Sequence, residues 1–194
     1  MRQRLLGVVV AFLVTLIGAG VPAHAADNYT VDPMHSSVYF KISHLGLAPV
    51  FGRFNEFTGN FVLDPADASK CSFEMTIKAE SIDTNNPKRD SHLRSPDFFN
   101  TKQFPAITFK STSVKPIKDG YEVTGDLTMH GATKPVKFEV VGGRAAQFPP
   151  GTQRTGFAAE LSVKRSEFGV GAEQFAKALG DEVRIAVGLE GTKR

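Results

Sequence analysis

Apolar and polar residues alternate along most of this chain with a period of two, the pattern left by strands that bury one face. Val38, Phe40 and Ile42 share a face, with Tyr39 and Lys41 opposite. Phe57, Gly59, Phe61 and Leu63 alternate with Thr58, Asn60 and Asp64, and Phe73, Met75, Ile77 and Ala79 with Ser72, Glu74, Thr76, Lys78 and Glu80. The rhythm continues through Tyr121, Val123, Gly125, Leu127 and Met129, then Val136, Phe138 and Val140, then Phe157, Ala159, Leu161 and Val163, and last Val183, Ile185, Val187 and Leu189. With further strands at 107–114 and 29–32, the count is eight or nine.

The interruptions are turn-like. Asp119-Gly120 marks a hairpin, because a tight turn there needs a positive φ that glycine supplies without a clash. His130-Gly131-Ala132-Thr133-Lys134-Pro135 reads as the next turn, and the Pro/Gly-rich stretch at 148–151 as a loop. Two places look helical. Asn86 as a cap with Pro87 at the first helical position opens a short helix through Leu93, and Ser95-Pro96 repeats the device. A second turn of helix is expected at 173–179, closed by Gly180. Strands at short intervals on an antiparallel plan make an all-β sandwich or a closed barrel of about eight strands. The alternation does not choose between them, nor between a solid core and an open apolar tunnel.

Composition adds a leader and removes a charge argument. Met1-Arg2-Gln3-Arg4, an apolar run from Leu5 to Ile17 and Ala23-His24-Ala25 have the layout of a secretory signal peptide, with an apolar core too short to span a bilayer. The expected mature chain is 26–194, exported and without stable membrane insertion. The formal charge of +3 falls to +1 once Arg2 and Arg4 are gone, so the basicity gives no case for a nucleic-acid partner. Export permits disulfides, yet Cys71 is alone and reads as a small, half-buried packing residue. Asn28-Tyr29-Thr30 is formally a glycosylation sequon.

Chemistry-bearing motifs are sparse. His35, His44, His92 and His130 lie in four separate segments with no metal-ligand spacing, so no metal site is expected. There is no nucleophile elbow, and Asp90-Ser91-His92 are neighbours in sequence, whereas triads assemble in space. Gly169-Val170-Gly171 lacks the frame of a dinucleotide site. The charged cluster 85–94 reads as a solvated short helix or as a polar rim at one end of a barrel. In the second reading Arg89, His92 or Arg94 meets a ligand head group, and Phe98, Phe99 and Phe104 form an apolar lip.

An ordered set of short elements then suggests a family. Asp32-Pro33-Met34-His35-Ser36-Ser37-Val38-Tyr39-Phe40, His44-Leu45-Gly46 and Gly52-Arg53-Phe54 resemble the opening of YceI-like proteins. Ser81-Ile82-Asp83-Thr84, the block from Arg89-Asp90-Ser91-His92 to Phe98-Phe99, and Phe104-Pro105 resemble its centre. Gly125-Asp126-Leu127-Thr128-Met129-His130-Gly131, Arg165-Ser166-Glu167-Phe168-Gly169 and Leu179-Gly180-Asp181-Glu182-Val183 resemble its close. The resemblance implies a lipocalin-like antiparallel barrel, often periplasmic, whose apolar cavity holds a polyisoprenoid or similar long amphiphile. It implies no cofactor and no dependable reaction. If each strand's apolar face is the interior, Phe40, Ile42, Phe61, Met75, Ile77, Phe109, Leu127, Met129, Phe138, Leu161 and Val163 line the cavity, with Phe99 and Phe168 at its mouth. The ligand is then a lipophilic molecule such as a polyprenol, polyprenyl phosphate or isoprenoid quinone, and a homodimer is compatible with the reading. Broad sequestration of hydrophobic small molecules, an enzyme acting on bound lipid and an interaction module with a filled core are the alternatives.

Overall fold

The computed structural model describes residues 26–171 and 173–194; the expected leader at 1–25 lies outside the described residues. The strands are β1 (Asp27–Val31), β2 (Ser37–His44), β3 (Ala48–Phe54), β4 (Phe57–Leu63), β5 (Ser72–Lys78) and β6 (Ile82–Asp83), then β7 (Ala106–Ile117), β8 (Gly120–Met129), β9 (Ala132–Gln147), β10 (Gln153–Lys164) and β11 (Leu179–Lys193). A single α-helix among the described residues, α1 (Pro87–Arg94), lies between β6 and β7. All pairings are antiparallel and join into one sheet that closes on itself. The fold is therefore a barrel, which the alternation alone left open against a sandwich.

Three of the staves are each built from two strands. β1 and β2 are separated by a corner at 32–36, β3 and β4 by Asn55 and Glu56, and β5 and β6 by the 3-10 turn Ala79–Ser81. Counting these as single staves, eight close the ring. β11 carries the seam. One edge pairs with β10 from Arg154↔Thr192 to Lys164↔Glu182. The other edge takes β2 from Leu179↔His44 to Gly188↔Ser37, then β1 from Val31↔Gly191 to Tyr29↔Lys193.

The corner between β1 and β2 shows what the Asp-x-x-His-Ser element does. Pro33 has no N–H to give a ladder, so the stave must break near it. Asp32 Oδ1 accepts the Met34 N–H at 3.0 Å, and its Oδ2 meets His35 Nδ1 at 2.8 Å and Arg154 Nη1 at 2.7 Å. The same Arg154 nitrogen bonds Glu190 Oε1 at 2.6 Å, and Ser36 Oγ accepts the Glu190 N–H at 2.9 Å. The corner is thereby fastened to β11 where β11 changes partner. The bond to His35 first, and then that to Arg154, hold the Asp32 carboxyl down to about 2. Asp32, His35 and Glu190 are the one trio of metal-type donors close together among the described residues. The Arg154 cation bonds both carboxylates, and ion pairing is the chemistry they already perform.

Several expected turns sit differently. The β7–β8 hairpin has Lys118 and Asp119 as its two loop residues, and Gly120 is already in register opposite Ile117. Glycine is needed there because a Cβ would overlap the Val140 carbonyl of β9. The β8–β9 turn is tighter than expected, only His130 and Gly131, with φ of 52° and 78° as a two-residue hairpin requires. Pro135 lies within β9. The expected helix at 173–179 is a single 3-10 turn, Glu173–Phe175, and Gly180 closes no helix because it belongs to β11.

Candidate functional site

Inside the barrel the period-two pattern becomes a wall. Phe40 and Ile42 of β2, Met75 and Ile77 of β5, Phe109 of β7, Leu127 and Met129 of β8, Phe138 of β9, Leu161 and Val163 of β10, and Val183, Ile185 and Val187 of β11 border one cavity of about 440 Å³. That volume falls within the range of roughly 300 to 1,000 Å³ of small-ligand sites. The cavity is long. Leu179 and Leu189 both border it, and about 33 Å of strand between them projects to about 25 Å along a tilted barrel axis.

Its floor is aromatic. Tyr29 stacks on Phe61 at 5.0 Å, Phe61 on Phe73 at 5.9 Å, and Phe157 meets Phe61 and Phe73 edge-on at 5.7 and 5.5 Å. These rings are buried, and Val123 beside them is fully enclosed. Cys71, expected half-buried, is buried at this end, where its Sγ accepts the Asp64 N–H at 3.3 Å.

The opposite end is covered by α1 and by the connection from β10 to β11. Asn86 Oδ1 caps the helix by accepting the Arg89 N–H at 3.1 Å. Arg89 donates Nε to Thr84 Oγ1 and Nη2 to the Thr84 carbonyl, both at 2.7 Å, while buried Asp90 accepts the Thr84 N–H at 2.9 Å. The helix is thus tied to the barrel rim by its own charged residues. Phe99 meets Phe54 edge-on at 5.8 Å. Phe98 stacks on Phe175 from the β10–β11 connection at 4.9 Å, with the His92 ring set edge-on to both. His92 also lies 3.0 Å from Asp97.

The residues expected to line the cavity divide as follows. Phe40, Ile42, Phe61, Met75, Ile77, Phe99, Phe109, Leu127, Met129, Phe138, Leu161 and Val163 border it, as do Arg89 and His92 at its mouth. Phe168 is not at the mouth. It is 2% exposed inside a 3-10 turn, and its carbonyl is bonded to His130 Nδ1 at 3.2 Å, which turns the ring into the packing beside the β8–β9 hairpin. Arg94 is not on the rim either, because its guanidinium is spent on the carbonyls of Glu80 and Ile82 at 2.7 and 2.8 Å. Phe104 packs on His130 at 4.7 Å and forms no part of the lip. The four histidines stay in separate places: His35 at the corner, His130 in its turn, and His44 and His92 at the cavity border.

Other bordering residues were outside the expectation. Val183, Ile185 and Val187 carried the same alternating signal as the residues chosen and were readable. Phe175 and Arg165 lie outside the strands, where a period of two has no meaning. Arg165 is 7% exposed and borders the cavity, with its Nε on the Gly180 carbonyl at 3.1 Å and Nη1 on the carbonyls of Val170 and Gly171 at 3.1 and 3.0 Å.

Comparison with known proteins agrees with this architecture. The family model described as YceI-like domain matches residues 29–191. Protein YceI of Escherichia coli O157:H7 is 37% identical over 196 residues, covering 100% of both chains, and the Salmonella arizonae protein of that name matches to the same extent. Among solved structures, Burkholderia cenocepacia BcnA superposes with a TM-score of 0.73 at 32% identity, covering 82% of this chain and 98% of that one. The Campylobacter jejuni YCEI protein gives 0.68 at 25% identity, covering 95% and 99%. A polyisoprenoid binding domain from Saccharophagus degradans, implicated in plant cell wall breakdown, shares the fold with a TM-score of 0.64 at 16% identity, covering 86% and 98%.

Proposed function

This chain belongs to the YceI-like family, and from that premise we propose that it is a non-catalytic periplasmic carrier or scavenger of a polyisoprenoid or similar long amphiphile. One observation carries the reading: a long apolar cavity shut by aromatic rings at one end and bordered at the other by His44, Arg89 and His92. That polarity suits a molecule with a hydrocarbon tail and a polar head, tail first. The polyisoprenoid-binding description of a protein with the same fold supports the ligand class. The leader-like segment at 1–25 supports export, and no helix among the described residues is long and apolar enough to cross a membrane.

The energetics favour a chain over a compact ligand. Each buried CH₂ contributes about 0.8 kcal/mol, so a five-carbon isoprene unit contributes roughly 3 to 4 kcal/mol. A few units therefore offset an association cost of about 4 to 15 kcal/mol without a charged anchor. Cavity depth then reads chain length. A wall made mostly of hydrocarbon favours storage over conversion.

Native mass spectrometry and lipid extraction of protein made in a bacterial periplasm test the proposal. The expected result is a stoichiometric isoprenoid-type lipid recovered unchanged. Ligand-free protein that also refuses added polyprenols and quinones overturns it. A competition series over isoprenoid chain lengths separates a dedicated carrier from a broad scavenger, which would be indifferent to length.

A further inference from the structure

Exposed apolar side chains are not scattered evenly over this barrel. Of the seven large hydrophobic residues that stand exposed among the described residues, four, Tyr39, Leu45, Leu47 and Phe51, belong to the β2–β3 hairpin. Leu45 is 55% exposed, Phe51 61% and Leu47 82%. The hairpin stands beside the mouth, since His44 and Val50, on either side of its turn, border the cavity. Clustered exposure of this kind marks a contact surface, whereas single exposed residues are ordinary.

The turn is also built against its own stability. Leu45 and Gly46 both lie in the left-handed region, at φ of 54° and 69°. The other residues besides glycine with positive φ among the described residues are Asn85, Asn100 and His130, types that tolerate that region, whereas leucine is rare in it. Gly46 at the tip projects into open space, where a Cβ would meet no atom within 4 Å. The Leu45 N–H bonds the Ala178 carbonyl at 2.7 Å and the Leu47 N–H the His44 carbonyl at 3.0 Å, so the backbone is tied to the mouth while both side chains stay in solvent. Strain held at an exposed site points to a function for the residue that bears it. At the root of the hairpin, Lys41 lies opposite Phe51 on one side and Arg184 on the other, and Tyr39 lies opposite Arg53. Arg53 and Arg184 are paired with Asp83 and Glu182, while Lys41 forms no ion pair among the described residues.

We infer that the β2–β3 hairpin docks the protein on a lipid bilayer: Leu45, Leu47 and Phe51 enter the interfacial layer, and Lys41, farther back along β2, meets the lipid phosphates. The inference rests on the lipid-carrier reading and adds its partner, the membrane with which the cavity exchanges its ligand. A long-chain amphiphile resides in a bilayer, and a hairpin seated there sets the mouth against the leaflet, so the hydrocarbon need not cross open water. An apolar tip with an unpaired cation behind it follows the order of chemistry met on leaving a leaflet, hydrocarbon first and phosphate next. A second copy of the chain is the poorer fit, because three side chains at one tip fall short of the roughly 1,200 Å² that a stable interface buries.

The experiment floats the processed protein with vesicles of phosphatidylethanolamine and phosphatidylglycerol, and follows transfer of retinol, a fluorescent isoprenoid, from the protein to the same vesicles. Wild type is expected to float, and the double variant Leu45→Asn with Leu47→Gln to bind about tenfold more weakly, the order for partial burial of two leucines. Because asparagine suits the left-handed region, the double variant should melt no lower than wild type and hold retinol with unchanged affinity, while its transfer rate falls with its vesicle affinity. Lys41→Gln should weaken binding roughly fivefold on these vesicles and leave binding to phosphatidylcholine vesicles unchanged. Wild type that fails to float yet takes up retinol overturns the docking and leaves the carrier reading intact, as does a double variant that floats as well as wild type. A wild-type dimer in sedimentation velocity that the double variant lacks assigns the hairpin to a second copy and likewise overturns the docking. Flotation of wild type, lost in the double variant, with no retinol uptake by either supports the docking and counts against the carrier reading.

Discussion

The two ends of the barrel are built from the same residue type to opposite effect. At the floor, Phe61, Phe73 and Phe157 pack on one another and on Tyr29 and are almost wholly buried. At the mouth, Phe40, Phe99 and Phe175 are only partly buried and face the cavity. Aromatic rings at one end seal and at the other present a surface. The difference lies in what backs them: a continuous closed sheet below, and above it one short helix with a 3-10 turn set across the opening.

If the floor is a structural plug, its loss is costly. Phe61→Ala is expected to destabilise the protein by about 3 to 5 kcal/mol in denaturant unfolding, and Phe99→Ala by less than about half of that. Equal losses would erase the distinction between the ends. Gly191→Ala is the next largest, at about 1 to 3 kcal/mol, because the added methyl overlaps the immobile ring of Phe61. Gly52→Ala overlaps Phe40 instead, whose ring can swing into the cavity, so it should cost less stability and reduce ligand uptake. At the helix, Asn86→Ala should cost about 1 kcal/mol through the lost cap, and hydrogen exchange should rise in α1 and leave the floor unchanged.

At the floor's own seam the stabilisation is present at neutral pH and is lost in acid. Asp32 has its folded value lowered to about 2, first by His35 and then by Arg154, so its contribution is complete above the ordinary carboxylate value near 4 and disappears as pH falls toward 2. Thermal melts of Asp32→Asn should therefore lose part of the wild-type slope between about pH 4 and pH 2. An unchanged slope would mean that the corner is held by packing alone. Ala159→Phe, which adds bulk at mid-cavity, should barely move stability and should shift ligand preference toward shorter chains.

The strands were legible because a half-buried sheet writes its two faces into alternate positions, from Val38 to Leu189. What alternation cannot express is closure, since the pairing of Tyr29 with Lys193 is a fact about distant segments. The same limit explains the site. Eleven apolar lining residues follow from parity, whereas Phe99 and Phe168 lie outside the strands, and Phe168 sits in a 3-10 turn that has already ended the parity of β10. Arg94 and Arg89 looked alike as charged residues on one helix; only the fold shows that one is consumed by carbonyls and the other borders the cavity. Arg165 gave no sign of burial, because its pocket is made of backbone.

The three-way pairing of β11 also sets a timetable. The ring needs the fifteen residues of β11 to join β10, β2 and β1, and the contact from Arg194 back to Thr30 spans 164 positions. Contacts of such separation form late. A sheet lacking β11 has two bare edges, one on β10 and one on β1 and β2, open to pairing with neighbours. β11 is thus a latch, and the barrel has an inside only once that strand is in place.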